Sequence, residues 1–211
     1  MNPGFIESHV ARGNRNLIIT AVVLIAIAAG LYAVGIWVPV PVAGVAALIV
    51  LATWVRRVLD PRAHPVYKRL ARYGDVGPLT QQVDEEFAGV RADGEPHFGR
   101  RWLAQRHRFG LNLTPWDDVA WMHVYSRVRN GVMTDCSVHV YSRHGDYVSA
   151  ATEKSTQAAE QLLRQLHERA PWAEVGYSSA LKVEFQSERA KFLERVDARR
   201  QQLRPGARAR A

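Results

Sequence analysis

The chain has 211 residues, 47% of them hydrophobic, with 28 Lys and Arg against 20 Asp and Glu and the lone cysteine Cys136, which excludes an intrachain disulfide and a cysteine-based zinc site. The positive charge is local: residues 56–75 carry six basic side chains against Asp60 and Asp75, and residues 195–211 carry six arginines against Asp197. The intervening 76–194 holds 14 basic and 16 acidic residues, so the body is near neutral and lacks the basic footprint expected of a nucleic-acid binder.

Residues 1–16 read as a short cytoplasmic segment with Arg12 and Arg15. From Asn16 to Val55 no side chain is charged. One helix of that length would run about 60 Å, twice the roughly 30 Å hydrocarbon core of a bilayer. Pro39 and Pro41, with Gly35 and Gly44 outside them, break it in the middle. The pattern therefore predicts a transmembrane helical hairpin over 17–59, with spans at about 17–36 and 40–57. Trp37 and Trp54 take interfacial positions, and arginines at both ends place both termini in the cytoplasm of a multi-pass inner-membrane protein. A cleaved signal peptide over Leu17–Ala29 fits less well, because its charged leader is long and a second apolar segment follows at once. Ala26-x-x-x-Gly30 and Ala43-x-x-x-Ala47 are small-residue pairs suited to close helix approach, although such residues are common in membrane helices generally. Between Leu17 and Val55 neither span carries an acidic, basic or histidine side chain, which argues against a proton or ion path.

Residues 60–95 read as a juxtamembrane helical linker: a basic helix over Val66–Tyr73 ended by Gly74, then a helix in "PLTQQVDEEFAG" with Leu79, Val83 and Phe87 on one stripe. Arg56, Arg57, Lys68, Arg69 and Arg72 form a candidate collar for anionic lipid headgroups, each charge contributing about 1 kcal/mol near the leaflet. From Pro96 the pattern becomes β. "HFGRRWLAQR", "RFGLNLT", "DDVAWMHVYSRV", "TDCSVHVYSR" and "DYVSAAT" read as five strands of an antiparallel meander, with Asn130-Gly131 as a type I′ turn and a second turn at Gly145. Ser155 caps a helix whose stripe is Ala159, Leu162, Leu163 and Leu166, and Pro171 stops it. A sixth strand fits at 172–177, a last long helix runs from Ser179 through Phe185, Phe192, Val196 and Leu203, and 204–211 reads as a disordered basic tail.

Candidate chemistry is sparse. Asp117 and Asp118 are adjacent, so on a strand they face opposite ways and suit a turn better than a shared proton. Asp84, Glu85 and Glu86 go round a helix and read as solvated. His107, His123, His139 and His144 fall in or near strands; His123 and His139 can pair across the Asn-Gly hairpin, but a zinc site needs a third ligand. Trp102, Trp116 and Trp121 read as core. No nucleophile elbow or phosphate-binding glycine loop is present, so no catalytic residue, cofactor, metal or small-molecule substrate is assigned.

The stretch "RRWLAQRHRFGLNLTPWDDVAWMHVYSRV", with "HPVYKRLARYGD", "RHGDYV" and "RAPWAEVGYSSAL", resembles uncharacterised bacterial two-helix membrane proteins with a cytoplasmic pleckstrin-homology-like domain, over most of 64–200. The resemblance implies a PH-like α+β domain over 96–203, a partly or fully closed barrel with C-terminal helices, and no particular activity. A complete barrel of that kind has seven strands and one capping helix, against the five strands read here, a candidate sixth at 172–177 and two trailing helices. The expectation is a non-enzymatic membrane scaffold that engages the bilayer and a protein partner or a second copy. Headgroup binding through the collar is the alternative, and an enzyme with an unrecognised site stands behind both.

Overall fold

The computed structural model describes residues 4–90, 94–107, 110–130, 132–152 and 155–203. The expected basic tail, 204–211, and Gly131 of the hairpin turn lie outside them. The chain divides into two compact units, 1–92 with 107–111, and 93–106 with 112–211.

The first unit opens with α1 (Phe5–Ala33) and α2 (Val40–Leu59), which pack on each other. The chain reverses between them. Gly35 takes φ +76, Ile36 N–H bonds Leu31 C=O at 2.9 Å, and Pro39 and Pro41 stand at the start of α2, where a missing donor costs nothing. Both helices are long and apolar enough to cross a membrane. Ala43 and Ala47 do face the partner helix, half-buried and buried, whereas Ala26 and Gly30 point outward. The small-residue pair of α1 is therefore not the one used in the hairpin.

Helix α1 begins at Phe5, well before the expected apolar span. Its extra turns pack with α3 (Pro65–Leu70) and α4 (Val76–Glu86) around a small core of Phe5, Ile6, Val66, Leu70, Val83 and Phe87. Pro65 occupies the first turn of α3, and His64 caps that turn, its Nδ1 accepting from Val66 N–H at 3.3 Å. Asp84 departs from the solvated reading. Its carboxylate accepts from the Ile6 N–H at 2.6 Å, capping α1 from another helix, so one orphan donor of the α1 terminus is satisfied.

The single meander becomes two sheets, which lie in the second unit apart from residues 107–111. The first has the order β1 (Pro96–Phe98), β2 (Trp102–His107), β3 (Gly110–Pro115); the second is β6 (Tyr147–Ala151), β5 (Val132–Ser142), β4 (Val119–Arg129), β7 (Glu174–Val175). The expected first strand splits because Gly99 N–H bonds Trp102 C=O, folding "FGRRW" into a turn between β1 and β2. Among the described residues no strand pairing joins the two sheets, so the barrel is not closed. Side chains do what backbone does not. Gln105 Nε2 donates to Ser149 C=O (2.7 Å) while its Oε1 accepts from Ser149 N–H (2.8 Å), and Asn112 Nδ2 donates to Tyr147 C=O (2.7 Å). Two amides from the first sheet thus occupy the free edge of β6.

The expected hairpin at Asn130 holds, with Asn130 at φ 52 and Arg129 opposite Val132. Helix α5 (Thr156–Arg169) starts on the Ser155 cap and buries Ala159 and Leu166 against Met122, Cys136, Val138, Val140 and Val148. The last helix is two, α6 (Ser179–Ser187) and α7 (Arg189–Leu203), broken at Glu188 (φ −122, ψ 41). An unbroken helix would hold Phe185 and Phe192 about 10 Å apart along its axis. The break brings their rings to 5.1 Å, both on Trp121, while Leu203 is left exposed.

Candidate functional site

Strand β4 organises the surface that remains. A bulge between Val119 and Trp121 sets its parity. Beyond it Met122 and Val124 face α5, while Trp121, His123 and Tyr125 face the other way, beside Tyr141 and His139 of β5. Trp121 stacks on Tyr141 at 4.8 Å and its Nε1 donates to Gly176 C=O at 2.8 Å. The expected His123–His139 pair forms in register, with ring centroids 5.3 Å apart. Tyr125 stacks on His139 at 4.9 Å, and Tyr177, 57% exposed, lies 5.1 Å from His123. Burial holds both imidazoles below the ordinary histidine range. His139 drops to about 4, with His123 adding to the fall and Asp135 opposing it; His123 is lowered further by Lys182, against its hydrogen bond to Val124. At neutral pH the two imidazoles are therefore uncharged, and the patch around them is π-rich.

No third ligand joins the pair; among the described residues no three His, Cys, Asp or Glu side chains cluster for a metal. Nδ1 of His123 lies 3.1 Å from the Val124 carbonyl, which can only accept, so the ring carries its proton there.

Asp117 and Asp118 sit on a short 3₁₀ turn and take different partners. Asp117 pairs with Arg200 at 2.6 Å; Asp118 lies 3.9 Å from Arg143 and 3.5 Å from His144, and burial raises its carboxyl. Of the six arginines in 195–211, Arg199 pairs with Glu174 and Arg195 with Glu184. The folded part of that charge is thus neutralised within the unit.

The collar residues belong to the first unit. Arg56, Lys68 and Arg72 are exposed, Arg57 and Arg69 half-buried. Arg69 donates to the Leu111 carbonyl at 2.6 Å, a contact inside the same unit, so its guanidinium serves the fold as well as any ligand. Sequence reasoning missed Asp84 and the edge of β4 described below; an acidic residue in a helical run carries no mark of the distant terminus it caps. Comparison with models of known families, with curated proteins and with solved structures finds no match.

Proposed function

We propose that the chain is a non-enzymatic scaffold of the inner membrane, anchored by α1 and α2 as a hairpin with both termini cytoplasmic, and presenting a PH-like domain to a protein partner. One observation carries the reading: only 6% of the apolar window of each helix is buried, with Val22 60% and Leu48 67% exposed. Burying apolar area gains about 25 cal/mol per Å², so such surfaces need a covering, and two helices whose 16–55 stretch carries no charge suit lipid. Arg12 and Arg15 before the first span, and Arg56 and Arg57 after the second, support the cytoplasmic side for both ends. The PH-like reading draws on the resemblance, on seven strands in sheets of three and four, and on a helix across one face. It departs from that pattern in β7, which follows α5 and runs parallel to β4.

Reporter domains fused after Ala211 and inserted at 35–38, with alkaline extraction of membranes, test this. The chain should stay with the membrane and the two reporters should lie on opposite sides. Release by alkali, or a C-terminal reporter outside, overturns it. Headgroup binding is favoured by the exposure of Arg56, Lys68 and Arg72. It requires R56E/K68E/R72E to lower the preference of the reconstituted chain for phosphatidylglycerol over phosphatidylcholine, and an unchanged preference excludes it.

A further inference from the structure

The outer edge of β4 has a definite hydrogen-bonding register. Gly176 N–H donates to Met122 C=O at 3.0 Å, on the β7 side. On a pleated strand the alternate residues repeat that direction, so Val124, Ser126 and Val128 turn their N–H and C=O groups outward while Tyr125 and Arg127 turn theirs to β5. Thr134 Oγ1 on β5 accordingly donates to Arg127 C=O at 3.1 Å. Strand β7 pairs only with Trp121 and Met122, and among the described residues no other strand lies on that side. His123 Nδ1 covers the Val124 carbonyl, just past the end of β7. The groups of Ser126 and Val128 follow, on a stretch where both side chains are exposed, Val128 at 60%.

The side chains beside this edge have a sign. Arg127 and Arg129 share a face with Tyr125, whose hydroxyl lies 3.3 Å from Arg127 Nε. Exposed Lys182 on α6 stands near His123 on that face. Asp135 lies across β4 from the edge, opposite Arg127 on β5, and Glu174 is already paired with Arg199. An incoming strand would meet cationic and aromatic side chains on one face, and Val124 and Val128 on the other.

We infer that the Val124–Arg129 edge takes up an extended, acidic segment of a partner protein by strand addition, in line with β7. Main-chain pairing to Ser126 and Val128 would supply affinity, and alternate carboxylates against Arg127 and Arg129 would supply selectivity. The inference names the partner chemistry of the scaffold proposed above and rests on it.

The test uses the full chain reconstituted in nanodiscs and three fluorescein-labelled nonapeptides. One alternates Glu with Val and Thr, one has Lys for Glu, and one is the acidic peptide N-methylated at alternate amides. The acidic peptide should bind saturably, and the Lys and N-methyl peptides at least tenfold more weakly. R127E/R129E, with its near-ultraviolet circular dichroism unchanged, should invert the acidic–basic preference. Equal binding of the N-methyl peptide reduces the surface to a charge patch and overturns strand addition. No saturable binding means the arginines only blunt the edge. A Ser126→Cys chain that cross-links to its own kind and excludes the peptide makes the occupant a second copy. Any of these leaves the membrane anchor standing, whereas release by alkali removes the anchor without touching the peptide result.

Discussion

The hairpin and the four-stranded sheet are built from the same residue types, put to opposite use. On the apolar stretches of α1 and α2 most Val and Ile side chains are exposed, Val22 at 60% and Ile49 at 62%; on β4 and β5, Met122, Val138 and Val140 are almost wholly enclosed. In the sheet, burial is achieved by other parts of the same molecule, so each side chain is fitted to particular neighbours. On the hairpin the described residues leave the apolar faces uncovered, and the fluid covering proposed above would fit any shape. Composition alone does not separate these cases. Period does: the sheet alternates its apolar residues, while the hairpin carries them all round.

The sharpest way to break this comparison is to delete equivalent volume on both sides. Met122→Ala empties space against α5 and should cost about 2–5 kcal/mol of stability, whereas Ile25→Ala, at a side chain 52% exposed, should leave folding almost unchanged because lipid refills the gap. Unfolding followed by tryptophan fluorescence in detergent measures both. If the two costs are equal, α1 packs against protein and the anchor reading fails.

How much of this could be read beforehand depended on the range of the deciding interaction. The reversal at Pro39, the Asn130 turn and the Ser155 cap are local chemistry, and each was legible. The His123–His139 pairing was legible only in part: the turn alone would set His123 opposite Val138, and the register shift between Arg127 and Val128 moves it opposite His139. What failed was long-range. Nothing within "QSERA" signals a helix break, which exists because Phe185 and Phe192 share Trp121. Gln105 and Asn112 look like ordinary strand polar residues until they meet the edge of β6. The open β4 edge depends on β7 stopping after two residues, a length set by packing.

A smaller effect should come from pH. Histidines on the aromatic face have folded pKa values below the ordinary 6.5, with His139 at about 4. Between these limits the unfolded chain binds more protons, so stability is flat above pH 6.5 and falls as pH drops toward 4. Asp118 works the other way. Its carboxyl is raised, so the folded form holds a proton at pH values where the unfolded chain has lost it, and that contribution is lost as pH rises. Urea midpoints at pH 7, 6 and 5 should therefore decline, and His139→Phe should flatten the decline. An unchanged slope would mean that the ring is solvated and the face more open than its stacking on Tyr125 requires.

The smallest effect tests what fastens α7. Arg143 grips Asp197 through two contacts of 2.5 and 2.7 Å, geometry that invites a large energetic reading. The Asp197 side chain is 42% exposed, however, and water and salt compete for both partners. Losing the carboxylate also leaves Arg143 beside Asp118 rather than stranded. Asp197→Asn should therefore cost under about 1 kcal/mol, and less at high salt. Phe192, fully buried against Trp121 and Phe185, should cost about 3–5 kcal/mol when cut to alanine. A D197N loss that matched the F192A loss would make the ion pair, not the inserted ring, the fastening of α7 to the sheet.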